Sequence, residues 1–126
     1  MSRHLLDSDI LIWVLRGKAE AISFVSDLLK NEIPAISSLT IYEIWAGAHP
    51  SEEAAISSFL SAFRIVPVNV DITRQGAEYY KQFRRKGMTL SSTDALIAAT
   101  AQTERLILVT QNSRHFPMSD IDLRGL

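Results

Sequence analysis

At 126 residues, 47% hydrophobic and 21% charged, the chain has the composition of a globular protein with one hydrophobic core. It has no cysteine, which excludes disulfides, thiol nucleophiles and thiolate-bound zinc. A formal net charge of −1 excludes a nucleic-acid binder that works through a bulk positive field, so contact with nucleic acid must be local or bridged by a metal ion.

The start, Met1-Ser2-Arg3-His4, leads into an apolar stretch that Asp7 and Asp9 interrupt, so it reads as neither signal peptide nor membrane span. A cytoplasmic protein with no membrane contact is the expectation. His4 to Leu6 reads as a strand ending at Asp7, and Ile10 to Leu15 as a short helix closed by Arg16-Gly17. Ala19 to Lys30 carries Ile22, Val25 and Leu29 at helical spacing, stopped by Asn31 and Pro34; Ala35 to Ser37 is a second strand.

Ser38 is the expected cap of a helix over Leu39 to Ala48 that places Thr40 and Glu43 on one face. Ser51 opens the next helix, with Glu52 and Glu53 in its first turn and a stripe of Ile56, Phe59, Leu60 and Phe63. Ile65 to Val70 is strand-like, but Pro67 lacks a ladder donor and restricts it to a short or edge element. Asp71 is the expected cap of a long helix with an apolar face of Ile72, Gly76, Tyr79, Tyr80 and Phe83, ending at Gly87. Ser92 should cap the next, Thr93 to about Gln102, apolar nearly all round and so buried. Leu106 to Val109 is the last clear strand. Strands alternating with helices predict an α/β protein in one domain, residues 1–126, with three layers: a mostly parallel central sheet of four to five strands and helices on both faces.

In such sheets ligands gather at the carboxyl ends of the strands, where Asp7, Ser37-Ser38 and Thr110 fall. Acids and small hydroxyl residues recur at the strand-to-helix junctions: Asp7-Ser8-Asp9, then Ser38, Thr40 and Glu43, then Ser92, Thr93 and Asp94. Crowded carboxylates repel and raise one another's pKa, which a divalent cation among them relieves. Oxygen ligands without Cys or clustered His favour Mg²⁺ or Mn²⁺ over zinc.

Each residue alone has a plainer reading. Asp7 and Asp9 suit helix caps, and Asp94 suits the dipole of a first helical turn. Glu43, between Ile41, Ile44, Trp45 and Ala46, is expected in a largely buried segment where an unpaired acid is costly. Trp13 and Trp45 read as core. His4, His49 and His115 share no metal-site spacing and receive no role. Arg84-Arg85-Lys86 suits a helix end, and Arg16, Lys18, Arg84, Arg85 and Arg114 are the candidate contacts for nucleic-acid phosphates.

Four segments together resemble a known family. Leu5-Leu6-Asp7-Ser8-Asp9-Ile10-Leu11-Ile12, Ser37-Ser38-Leu39-Thr40-Ile41-Tyr42-Glu43-Ile44, Thr93-Asp94-Ala95-Leu96-Ile97-Ala98-Ala99 and Leu108-Val109-Thr110-Gln111-Asn112-Ser113-Arg114-His115-Phe116 look like the motifs of PIN-domain nucleases, in particular the VapC toxins of toxin–antitoxin pairs. The resemblance implies a PIN-like fold and an endoribonuclease that cleaves RNA with an activated water and so inhibits translation. It further implies a Mg²⁺ or Mn²⁺ site, a homodimer, and neutralisation by a small VapB-like antitoxin. It assigns catalysis and metal binding to Asp7, Glu43 and Asp94, with Asp9 and Asn112 as further metal ligands and Ser8 and Thr110 as auxiliaries. Asp9 stands where Asn is more usual in the family, and Asn112 where many members have a fourth acid.

Three alternatives compete. A haloacid-dehalogenase-like phosphotransferase shares an apolar strand followed by Asp-x-Asp but lacks the Gly-Thr that Ile10-Leu11 replaces here. A response-regulator receiver needs a lysine after the last strand, where Gln111 stands. A non-cleaving PIN-like RNA- or protein-binding module would not need the set of Asp7, Glu43 and Asp94.

Overall fold

The structure is a computed structural model that describes residues 1–126. Five parallel strands form one sheet in the order β3-β2-β1-β4-β5, where β1 is His4–Leu6, β2 Ala35–Ser37, β3 Arg64–Val66, β4 Ile107–Val109 and β5 Leu123–Arg124. Six helices connect them: α1 Ser8–Leu15, α2 Ala19–Leu29, α3 Ser38–Ala46, α4 Glu53–Leu60, α5 Val70–Arg84 and α6 Ser92–Glu104.

The three layers follow from strand alternation. Successive side chains point to opposite faces, so Leu5, Ala35 and Leu108 join Ile72, Tyr79, Phe83, Ile97 and Ala98 beneath α5 and α6. Leu6, Ile36 and Val109 join Ile10, Leu11, Val25, Ile44 and Leu60 beneath α1 to α4. The inner strands are apolar on both faces because both are covered. At one edge β3 leaves Arg64 and Ile65 exposed, and Pro67 follows its last residue. The other edge, β5, has only two residues and no apolar run, so it carries no sequence signal; it still binds Leu108 N–H through Asp122 O at 2.9 Å and Thr110 N–H through Arg124 O at 3.0 Å.

Three helices start one or two residues earlier than their sequence reads. Ser37 caps α3 and Ser91 caps α6, their hydroxyls accepting from Leu39 N and Asp94 N. Asn69, not Asp71, caps α5 by accepting from Ile72 N at 2.9 Å. In each case the capping residue is the last one in extended backbone, which frees its side chain to reach forward. Ser38 accepts instead from Val68 N, tying the start of α3 to the segment that follows β3. Around Ser51 the chain makes a 3₁₀ turn, Pro50–Glu52, before α4 begins.

The tryptophans are not core. Trp45 is 36% exposed and Trp13 half-buried, while Tyr42, next to Glu43, is 71% exposed. On α2 the buried residues are Ala21 and Val25, and Ile22 and Leu29 face outward. The helix packs against α1, and its buried stripe lies one position away from the one that Ile22 and Leu29 mark.

Candidate active site

Asp7 is the residue at which β1 becomes α1. Its extended backbone ends the strand, and its carboxylate caps α1 by accepting from Ser8 N at 2.8 Å. The other carboxylate oxygen accepts from the Thr110 hydroxyl at 2.9 Å. Thr110 follows β4, the strand beside β1, so the sheet register brings the two together: Leu6 pairs with Val109, and Asp7 N donates to Val109 O.

Asp9, in the first turn of α1, leans over the same strand end. Its Oδ2 accepts from Gln111 N at 2.9 Å and Asn112 Nδ2 at 3.1 Å. The Thr110 hydroxyl lies 3.4 Å away, and Asn112 N donates to that hydroxyl at 3.0 Å. Asp9 Oδ1 is buried without a partner. The Asn112 amide thus faces Asp9 with its NH₂ group, a contact a carboxylate at position 112 would not make.

Only 8% of Asp7 is exposed. Burial, and secondarily the Asp9 charge, push its carboxyl up to about 6, against the hydrogen bonds from Thr110 and Ser8 N–H, which pull it down. Burial also raises Asp9, opposed by its hydrogen bonds. Asp94, on the first turn of α6, contributes the smallest of these effects on Asp7. The crowding therefore centres on Asp7 and Asp9, not evenly on Asp7, Glu43 and Asp94.

Glu43 reaches the cluster through Ser8, whose hydroxyl donates to its Oε1 at 3.1 Å. It is half-buried in a segment far less buried than expected, because α3 sets only Thr40 and Ile44 into the core. Glu43 and Arg16 line one cleft of about 150 Å³ with Ile12, Leu15, Ile44 and Ile56. Of the other basic candidates, Lys18, Arg84, Arg85 and Arg114 are all exposed, Lys18 at the start of α2 and Arg84 and Arg85 at the end of α5.

His115 received no role from the sequence, yet its Nδ1 lies 3.6 Å from Asp94 Oδ2, and its charge lowers Asp9. Nothing in its spacing signals this, since the 3₁₀ turn Ser113–His115 that positions it is itself set by the loop after β4.

No three acidic or histidine side chains already stand in a single ligand cage. The donors nevertheless fit a hard cation. They are all oxygens, Asp9 Oδ1 is orphaned, and burial, with the Asp9 charge second, holds the Asp7 carboxyl above its ordinary range. Mg²⁺ needs only one or two carboxylates, completing its shell with water.

The PIN domain family profile matches residues 4–121, nearly the whole chain and all four motif segments. The chain belongs to the PIN domain family. Among curated PIN relatives, Ribonuclease VapC19 of Mycobacterium tuberculosis is 38% identical over 115 residues, covering 90% of this chain and 92% of the relative. Ribonuclease VapC10 of the same organism is 35% identical over 114 residues, covering 90% and 86%. Among solved structures, VapBC2 from Rickettsia felis, bound to a DNA fragment from their promoter, superposes with a TM-score of 0.88 at 25% identity over 100% of this chain and 99% of that one. A toxin–antitoxin complex from Klebsiella pneumoniae gives 0.80 at 31% identity over 92% of each. These matches agree with the α/β architecture of a PIN domain, its parallel sheet covered on both faces, and disfavour the phosphotransferase and receiver alternatives.

Proposed function

We propose that this chain is a metal-dependent endoribonuclease of the VapC type, a toxin that hydrolyses RNA phosphodiesters and is neutralised by a VapB-like antitoxin. The observation that carries the reading is the Asp7–Thr110–Asp9 network, a buried and a half-buried carboxylate at the carboxyl end of the central strands in a PIN domain whose relatives are named ribonucleases.

Asp7, Asp9 and Asp94 are the residues that would hold Mg²⁺ or Mn²⁺, with Glu43 joined through Ser8 and the Asn112 carbonyl oxygen available beside Asp9. A bound divalent cation supplies a water that ionises near neutral pH and compensates the charge developing on phosphorus. The residues themselves set the geometry. Ser8 N–H and the Thr110 hydroxyl fix the two oxygens of Asp7, Gln111 N–H and the Asn112 amide fix one oxygen of Asp9, and Asp9 keeps its second oxygen for other work. Arg16 and Lys18 on one side, Arg114 after β4, and Arg84 and Arg85 at the end of α5 are the cations offered to RNA phosphates.

The cleft shared by Arg16 and Glu43 has an apolar floor of Ile12, Leu15, Ile44 and Ile56. An amphipathic antitoxin segment fits it, apolar side chains on the floor and a basic residue on Glu43. No helix is long and apolar enough to cross a membrane.

Cleavage of labelled RNA with Mn²⁺, and its loss with EDTA, tests the reading. Because water is the nucleophile and not the ribose 2′-hydroxyl, the 3′ fragment carries a 5′-phosphate. A 2′,3′-cyclic phosphate product would sink the mechanism, and metal-independent inertness toward all RNA would leave only a binding module.

A further inference from the structure

We propose that the cleft between α5 and α6 is a nucleobase subsite, taking one unpaired base of single-stranded RNA as the strand runs past the acidic site; this rests on the ribonuclease reading above. The two helices pack antiparallel. Gly76 lies against Leu96, so closely that a Cβ at position 76 would meet Leu96 Cδ2 at 2.9 Å, and one turn along α5 Tyr80 faces Ser92 across the same cleft. The connection from Arg85 to Ser91 therefore returns the basic end of α5 to the first turn of α6, the turn that carries Asp94.

The cleft holds about 300 Å³ and is walled by Gly76, Ala77, Tyr80, Ala95 and Leu96, with Ser92 at the α6 end. That is the lower end of small-ligand pockets, room for a single base and not for a large ligand. Its wall is apolar, but its surroundings are cationic. Lys81 pairs with Glu78 at 3.1 Å, whereas Arg84 and Arg85 have no acid within ion-pair distance. The Arg84 guanidinium lies 5.9 Å from the centre of the Tyr80 ring, holding the ring beside the cleft by a cation–π contact.

An apolar slot with an aromatic wall and two unpaired guanidiniums matches a base on its anionic linker. RNA presents such a group only where it is single-stranded, and unstacked bases are taken up on aromatic and arginine planes. An apolar side chain of a partner protein would fill the slot but leave both arginines uncompensated. Helical geometry sets the relation to the acids: Ser92, Ala95 and Leu96 share one side of α6, and Asp94 is two residues, about 200°, round from both Ser92 and Leu96. A strand crossing the first turn of α6 meets the base slot on one side and the acidic site on the other.

The test uses a short single-stranded RNA that the wild-type protein cleaves, with an abasic nucleotide walked along it. Binding is read by fluorescence anisotropy in EDTA, and cleavage with Mg²⁺. One abasic position should weaken wild-type binding by about tenfold, the scale of one lost base stack. Tyr80→Ala should weaken binding to the intact RNA by a similar factor and be blind to that abasic position, while Tyr80→Phe binds like wild type. Ala77→Leu, at an exposed position that tolerates bulk, should fill the slot and reproduce Tyr80→Ala, raising KM with little change in kcat. Unchanged RNA affinity in both Tyr80→Ala and Ala77→Leu overturns the subsite and leaves the ribonuclease reading standing. A loss of self-association or of a protein partner in those variants, with RNA affinity intact, also overturns it by assigning the face to protein. A wild-type protein that cleaves no RNA in Mg²⁺ or Mn²⁺ fails the earlier reading, and the subsite falls with it.

Discussion

Thr110 and Asp7 are separated by 103 residues of chain and joined by a hydrogen bond of 2.9 Å in which the hydroxyl donates to the carboxylate. The same hydroxyl accepts from Asn112 N and lies next to Asp9, so one side chain spaces two acids and anchors the loop that holds the second. Thr110→Val keeps the shape and removes both bonds, leaving a buried carboxylate oxygen and a backbone N–H unpaired, which costs about 2 kcal/mol. Chemical denaturation should show that loss together with reduced cleavage, and Thr110→Ser should retain most of both. A Thr110→Val protein as active as wild type would remove Thr110 from the site.

Asp94 tests the metal proposal independently of the crowding at Asp7. Asp94→Asn is nearly isosteric and removes a charge that only weakly perturbs Asp7. The metal-free fold should therefore melt at or slightly above the wild-type temperature. Cleavage should fall by about 100-fold or more, since even an outer partner of a ligand is worth 10- to 100-fold in metal affinity or activity. Mg²⁺ should raise the wild-type melting temperature more than that of the variant, because only affinity for the folded state adds stability. An active Asp94→Asn protein would show the residue to be a helix-start acid only.

The raised Asp7 carboxyl makes the metal-free protein less stable as pH rises. Its folded value is about 6 against an ordinary 3.8, so the folded state holds a proton that the unfolded chain has released between those values. Asp7 therefore favours folding fully below pH 3.8, and this contribution is lost as pH rises through about 6, on the order of 3 kcal/mol in all. Denaturation in EDTA from pH 4 to 7 should show that component in wild type and not in Asp7→Asn. Equal pH slopes for the two proteins would refute it.

At the opposite end of β1, Glu32 accepts from Arg3 N at 3.0 Å, His4 N at 3.1 Å and His4 Nδ1 at 2.9 Å, a nearly buried clamp between the α2–β2 connection and the first strand. Burial raises the Glu32 carboxyl, but these bonds and the His4 charge outweigh it, leaving it below its usual value. Its stabilisation is present above the unfolded value of 4.5 and lost as pH falls through the lower folded value. Glu32→Ala should cost about 2–3 kcal/mol by leaving buried donors unpaired. Cleavage at a temperature where the variant is folded should be unchanged, because the clamp lies at the far end of the strand from Asp7.

The sequence by itself determined the alternation of strands and helices, and hence the parallel sheet, because inner strands covered on both faces must be apolar throughout and helices must repeat near 3.6. It also placed Asp7, Thr110 and Asp94 at element junctions, where backbone groups left over from one element need side-chain partners. The tertiary structure alone decided how these junctions meet. The register of β1 on β4 sets Thr110 against Asp7, and the first turn of α1 swings Asp9 onto Gln111 and Asn112. The turn after β4 brings His115 to Asp94. Whether the faces of α2 and α3 that hold Ile22, Tyr42 and Trp45 point inward was likewise undecided by their apolar character. A helix buries the stripe that its neighbours cover, and here that stripe runs through Ala21 and Val25 on α2 and Thr40 and Ile44 on α3. Side-chain hydrophobicity is local, but pairing, register and the choice of buried stripe depend on segments that touch only after folding.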